Sequence, residues 1–447
     1  MTGKLPIPNV SINKLTVTVF SAIVLTTLMS CRECPTEPQN EGKDFALDYA
    51  GPSFVSLSFS ISGSGKRNYA IQRDSLIVLT GTLFGEDTIV TDWNAEPSKT
   101  FRYRLLVKDH GETIDKSEWL SVTTMDTTSH DFTWTIDVLG ENGTFWDVWA
   151  FAENNVWAVG FVYPEWAGSE VHNCYKWDGT QWLPQDIISN YWKVHIYSIL
   201  AFNEYDIWAN SSYPQHSTDS TYYLYHLGDM GLDVGPINDC WGKSSNDMYF
   251  VGNGGTIVHY DGQSFTKMAN PTDRKLRHVD GCVDSQTGEV RMWAGGWEST
   301  GWGSLVKFEN SQWSLVWDAD HQFYPDQNYL DVGGIYIPND KYIFVEVGGI
   351  ENNILVIHSQ KYFNDYHILY SKDIAGATLK IRGNAINDFF VVGDHRIIHY
   401  NGRTFYFYTD IFENFRLLGV FQISDFVFIV GEEFSSQKAI VIRGERQ

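Results

Sequence analysis

Seven times between Phe145 and the C-terminus the chain repeats one pattern. A short apolar strand leads to a polar corner, then to an aromatic followed by small or β-branched residues and often Gly. The clearest copies are Asn154-Asn155-Val156-Trp157-Ala158-Val159-Gly160, Asn246-Asp247-Met248-Tyr249-Phe250-Val251-Gly252 and Asn387-Asp388-Phe389-Phe390-Val391-Val392-Gly393. The signature aromatics Trp157, Trp208, Tyr249, Trp293, Phe344, Phe390 and Phe428 recur 38 to 51 residues apart. That length holds four short strands with their turns, and such a unit buries its faces only against copies of itself. The expected architecture over 131–447 is therefore an all-β propeller of seven blades. Third strands end in Trp177-Asp178-Gly179, Tyr260-Asp261-Gly262 and Tyr400-Asn401-Gly402. These dipeptides suit type I′ hairpin turns, which need positive φ at both central residues. The last repeat offers strands at 417–423, 426–431 and 439–442 and then stops. An orphan strand near 131–137 is expected to supply its missing outer strand and so remove an open edge.

Residues 47–128 read as a separate β-sandwich. Segments 54–61, 75–79, 101–107 and 119–124 alternate with period two, at spacings that suit a small two-sheet unit. Glu96-Pro97-Ser98-Lys99-Thr100-Phe101-Arg102-Tyr103 resembles the Pro…Thr-Tyr-x-Tyr corner of fibronectin type III modules, and Val122-Thr123-Thr124 resembles their closing strand. Phe101 stands where that family carries the corner Tyr, so the hydroxyl bond is lost. The resemblance implies a spacer or interaction module and no chemistry.

The N-terminus reads as a processing signal. Lys4 and Lys14 flank an uncharged stretch at 15–29 that is too short for a stop-transfer helix. Leu28-Met29-Ser30-Cys31 resembles a bacterial lipobox, which implies a signal peptide at 1–30 and lipid on Cys31; an ordinary cleaved signal peptide is the alternative. Residues 31–46 are polar, with Pro and Gly, and read as a flexible tether. Arg32, rather than Asp, follows the Cys, which by analogy with lipoproteins implies the outer membrane, on its periplasmic or surface face. Lipobox, fibronectin-like module and propeller together resemble cell-surface lipoproteins of the Bacteroidetes group. The lipid would be the only attachment to the membrane.

The formal net charge of −23 sets nucleic acid and anionic lipid aside as partners. No paired CxxC motif appears downstream, so zinc is not expected. Cys240 and Cys282 fall on inner strands of neighbouring blades; buried thiols are favoured there over a disulfide. Asp147, Asp239, Asp280 and Asp331 fall at near-equivalent inner-strand places. They could ring the channel and hold calcium, or bond neighbouring backbone, the commoner role. No other cofactor is expected.

Loops between second and third strands, and between blades, share one face of a propeller. Here they carry Tyr163, Glu165 and Trp166, then Trp192, Tyr213, Trp297, Glu298, Trp302 and Tyr324. Flat rings beside polar groups suit stacking on sugars or on a protein partner. Trp297 and Trp302 lead, because Gly flanks them and no strand pattern claims them. Sialidase boxes, Gly-x-Ser-x-Gly, His-Glu-x-x-His and phosphate loops are absent from the sequence. His259 and His399 repeat at one third-strand position, which marks a structural role. The reading is an envelope protein that binds a glycan or another envelope protein. The alternative is a glycan-active hydrolase using loop carboxylates such as Glu165 and Glu298.

Overall fold

The computed structural model describes residues 44–447 except 62–65, 84–86, 166–169, 191, 219–220, 299–302, 319–328, 350–352, 360–365, 373–377 and 409–410. Cys31, Cys34, Trp166, Trp302 and Tyr324 therefore lie outside the described residues.

Seven four-stranded antiparallel sheets make the propeller, each running from inner to outer strand. Blades 1 to 7 span 142–184, 198–224, 237–267, 278–318, 329–372, 378–407 and 415–446. Blade 7 takes its outer strand from the start of the domain, as the sequence predicts. Phe132–Gly140 pairs antiparallel with Ala439–Arg446, from Arg446↔Phe132 to Ala439↔Gly140. The latch is longer than the expected 131–137.

Blades stack face to face, so their middle strands are covered on both sides. Val148 and Val162 of blade 1, for example, pack with Val430 and Val441 of blade 7. This explains why the signature strands are unbroken apolar runs rather than alternating ones. Every residue of Asp388–Gly393 is buried. At the far end of the blades, His216 stacks on Trp208 (4.1 Å), His259 on Tyr249 (4.4 Å) and His399 on Phe390 (4.6 Å). Each imidazole also bonds an Asp at the start of the second strand: Asp206 and Asp247 at 2.8 Å, Asp388 at 2.9 Å. The repeated His is a structural element, as expected.

The Asx-Gly turns differ from expectation. Only the Gly has positive φ (98° at Gly179, 88° at Gly262, 92° at Gly402), so type I′ is excluded. The strands are joined by four-residue loops instead. The side chain of Asp178 accepts N–H bonds from Thr180 and Gln181, Asp261 from Gln263 and Ser264, and Asn401 from Arg403 and Thr404. The Asx residue is there for its side-chain acceptor, not for a left-handed backbone.

Upstream, strands Ala46–Ala50, Val55–Phe59 and Thr88–Asp92 form one sheet of a sandwich. Leu76–Leu83, Arg67–Arg73 and Thr100–Asp109 form the other, with Glu112–Lys116 and Leu120–Thr123 both on the last strand. Its core includes Val55, Leu57, Ile71, Tyr103 and Leu120. The Tyr103 hydroxyl donates to Asp92 at 2.9 Å, and Arg73 pairs with the same carboxylate at 2.8 Å.

The sandwich is seated on blades 5 and 6. Phe54 and Tyr49 pack on Tyr342 with ring centroids 5.1 and 5.3 Å apart. Trp93 stacks on His367 at 4.6 Å, and Lys341 pairs with Asp48 at 3.0 Å. Ser53 donates to the Gly402 carbonyl at 3.0 Å. These contacts fall on turns joining first to second and third to fourth strands. The chain direction places those turns on the face opposite the blade-to-blade loops. The sandwich thus leaves the loop face of the propeller uncovered.

Candidate functional site

Inner strands line the axial channel, and their free edges need hydrogen-bond partners. Aspartates supply them. Asp147 accepts the N–H of Val148 (3.0 Å) and that of Ile199 on the next blade (3.2 Å). Asp239 does the same with Cys240 and Val279, and Asp280 with Gly281 and Ile337. Each carboxylate staples one blade to the next.

The four aspartates do not share one level, contrary to the sequence reading. Measured by cross-strand partner, Asp147 and Asp239 lie opposite Val159 and Val251, two residues past the signature aromatic. Asp280 lies opposite the aromatic itself, Trp293, and Asp331 opposite Gly348, four residues past Phe344. Bulges in the inner strands of blades 1, 3 and 5 shift the register where sequence spacing shows none. A single-level calcium ring is therefore not formed by these four.

Cations of blade 6 close the middle of the channel. Lys380 reaches Asp239 of blade 3 at 3.2 Å, and Arg382 reaches Asp147 of blade 1 at 3.5 Å. Two cavities meet there, one of 420 Å³ opening on the loop face and one of 370 Å³ toward the opposite end. Asp239, His278 and Lys380 line both. Asp280 in the lower cavity is raised to about 6 by burial. Asp239 and Asp280 each already accept two backbone N–H groups, so neither cavity presents an uncommitted acid from this pair for hydrolysis.

The upper mouth is basic in an acidic protein. Its wall is the segment Lys275-Leu276-Arg277, held at three successive amides. Lys275 N–H donates to the Glu298 carboxylate (3.1 Å), Leu276 N–H to the Gly252 carbonyl (3.0 Å) and Arg277 N–H to the Gly295 carbonyl (2.9 Å). Leu276 is fully buried, so alternation turns Lys275 and Arg277 to the cavity they line. Gly296 makes room for this segment: a Cβ there would stand 2.6 Å from the Arg277 nitrogen and 2.7 Å from the Lys275 oxygen. The Arg277 guanidinium lies 3.9 Å above the Trp297 ring, and its Nε donates to the Trp297 carbonyl at 3.0 Å. Burial, then the adjacent Arg277 charge, holds Lys275 below the usual lysine range. Burial and the charges of Lys380, Arg277 and Arg382 push His278 well below its ordinary value, so it is neutral. Opposite stand Trp146 and Tyr197, edge to face at 4.9 Å.

Of the loop residues expected from sequence, the structure brings Trp297 and Glu298 to this mouth, in supporting roles. Trp297 does belong to a strand, Val290–Trp297, paired with Gly303; the ladder continues through the flanking glycines. One face of its ring is taken by Arg277. Glu298 is committed to the Lys275 amide. Tyr213 is 38% exposed beside Ser212, which lines the mouth, and packs on His226 at 4.6 Å. Trp192 is 58% exposed, and Tyr163 packs on Phe161; neither lines either cavity. Sequence reasoning missed Lys275, Arg277, Lys380 and Trp146. The run Arg274-Lys275-Leu276-Arg277 in a chain of net charge −23 was the available signal. Among the described residues Cys174, Cys240 and Cys282 form no disulfide; Cys174 and Cys240 are buried and Cys282 is half-buried.

No family model matches the chain, and no curated protein matches it. Among solved structures it is similar to YCF48 from Cyanidioschyzon merolae, at 13% identity and a TM-score of 0.50, covering 70% of this chain and 98% of that one. It is also similar to YCF48 bound to D1 peptide (15% identity, TM-score 0.49, 70% and 95% covered). A third is the C-terminal WD40 domain of Sif2 (10% identity, TM-score 0.43, 78% and 91% covered). At such identities a likeness bears on the fold alone and says nothing of the ligand.

Proposed function

We propose that this chain is a lipid-anchored envelope protein whose propeller is a binding platform, with a glycan as the ligand seated at the loop-face mouth of the channel. One observation carries the reading. The mouth gathers aromatic rings, neutral hydrogen-bonding groups and cations into a 420 Å³ recess, a size within the ~300–1,000 Å³ of small-ligand pockets. The face on which the sandwich docks is the opposite one, so the sandwich itself does not cover the mouth. The lipobox at 28–31 and the polar tether support attachment through Cys31, with the fibronectin-like sandwich as a rigid stand. The commitment of Glu298, Asp239 and Asp280 to backbone amides supports binding rather than turnover.

The test is a binding and hydrolysis screen of the full chain in detergent against a broad glycan panel, with Trp146→Ala as control. Binding without product release, weakened about tenfold or more in the control, is the expected result. Product release would replace the binding reading with the hydrolase one. Cys31→Ala should abolish acyl labelling and release the protein from membranes.

A further inference from the structure

We infer that the loop-face mouth recognises an acidic sugar, a uronate-bearing glycan whose carboxylate sits between Lys275 and Arg277. The inference rests on the glycan-binding reading and adds the charge of the ligand.

Three observations converge on it. The first is charge placed against the grain of the molecule. In a chain of net charge −23, Lys275, Arg277 and Lys380 line one recess with Asp239 as the only acid among its lining residues. That Asp is already neutralised by Lys380 at 3.2 Å. Among the described residues, no ion pair engages the Lys275 ammonium or the Arg277 guanidinium, whereas Lys193, Arg291 and Arg446 each pair with a carboxylate. Bringing cations together under partial burial is costly unless an anion joins them. Glu298 and Asp331 act on Lys275 and Arg277 from a distance, yet both cations stay below their ordinary range, so the recess still favours an added anion.

The second is rigidity. Three backbone hydrogen bonds and a buried Leu276 fix the segment, and the guanidinium is clamped on Trp297 by its face and its Nε. This leaves the terminal nitrogens of Arg277 as the edge that is open to a ligand. A planar fork held in place is suited to a carboxylate.

The third favours a sugar over an acidic peptide. The same recess is lined by neutral hydrogen-bonding groups from its rim to its floor. Asn238 spends its Nδ2 on the Leu276 carbonyl (2.7 Å) and Asn253 (3.0 Å), which leaves its Oδ1 as an acceptor. The buried Nδ1 of His278 has no hydrogen-bond partner. Ser198 and Ser212 add hydroxyls, and Trp146 with Tyr197 offers ring surface. Hydroxyl-matching groups and ring faces around one carboxylate site describe a sugar acid.

The experiment titrates the full chain in detergent with homo-oligomers of galacturonate, glucuronate and mannuronate. Matched neutral oligomers and an oligo-glutamate peptide run in parallel. At least one uronate oligomer should bind about tenfold or more tighter than its neutral match and weaken as salt rises. Lys275→Gln should remove that preference, and Arg277→Lys should reduce it, with the circular dichroism spectrum of the folded protein retained. Equal binding of uronate and neutral oligomers would overturn the acidic-sugar inference while leaving the glycan reading intact. A preference that survives both substitutions would overturn the assigned site. Binding of the peptide alone, or of nothing, would overturn the inference together with the glycan reading.

Discussion

At the scale of single residues, the polar groups of the channel and of the latch are the most exacting. Asp147 serves two blades and Arg382 at once, so its removal strands two backbone amides and a guanidinium. Asp147→Ala should cost about 2–4 kcal/mol, read from urea unfolding, and Asp147→Asn less because one acceptor remains. The latch carries a pH dependence. His130 bonds His399 through their Nδ1 atoms at 2.8 Å, and His399 bonds Asp388, which Arg446 also grips. Burial, then the positive charge that His399 would carry, holds His130 down to about 4. Below the ordinary value near 6.5 the unfolded chain therefore binds protons that the native protein refuses. This contribution is fully present above about pH 6.5 and is lost as pH falls toward 4. The melting temperature should decline across that window, and His130→Asn should flatten the decline. An unchanged profile in the variant would show that other groups govern it.

At the scale of elements, the functional wall depends on how closely two strands and one loop segment approach. Gly296 lies where the Lys275–Arg277 segment crosses the second strand of blade 4. A methyl group there meets backbone, which cannot rotate aside as a side chain can. Gly296→Ala should destabilise by about 1–3 kcal/mol in denaturant and weaken ligand binding at the mouth. Its effect on binding should exceed that of an equally destabilising change in a distant blade. The bulges belong to this scale too. With them, Asp147 and Asp239 of blades 1 and 3 share one height, while Asp331 of blade 5 and Asp280 of the regular blade 4 strand stand at others. The staples therefore join neighbouring blades in pairs rather than forming one ring around the axis.

At the scale of the whole molecule, the sandwich and propeller are joined by a packed interface. Phe54 is buried against Tyr342, in one core cluster with Phe344 and Phe389 of blades 5 and 6. A linker-tethered pair of domains would show no such shared core. Phe54→Ala should cost about 3–5 kcal/mol and split one calorimetric unfolding transition into two. A single transition that merely shifts would mean that the hydrogen bonds from Ser53 and the Lys341–Asp48 pair hold the units together without it. Docking on the turn face also sets direction: whatever the sandwich is attached to, the mouth is on the other side of the disc.

The repeat length, the all-β class, seven blades and the closing strand were legible in the sequence, because each rests on local pattern. An apolar run between polar corners reports a strand covered on both faces, and a repeat short of one strand reports where its partner must come from. Even the signature Gly has a local cause: at Gly160 a Cβ would stand 2.1 Å from the Thr144 carbonyl of the inner strand, and at Gly252 2.2 Å from the Pro236 carbonyl just before it. The site was legible only at Trp297 and Glu298. Trp146, Ser198, Asn238 and Lys380 come from four blades and Arg277 from the segment leading into a fifth, and they meet only because the ring closes. Sequence period determines how many blades stack; bulges, register and the convergence of inner strands decide which side chains share the axis. Those are properties of the closed ring, and no single repeat contains them.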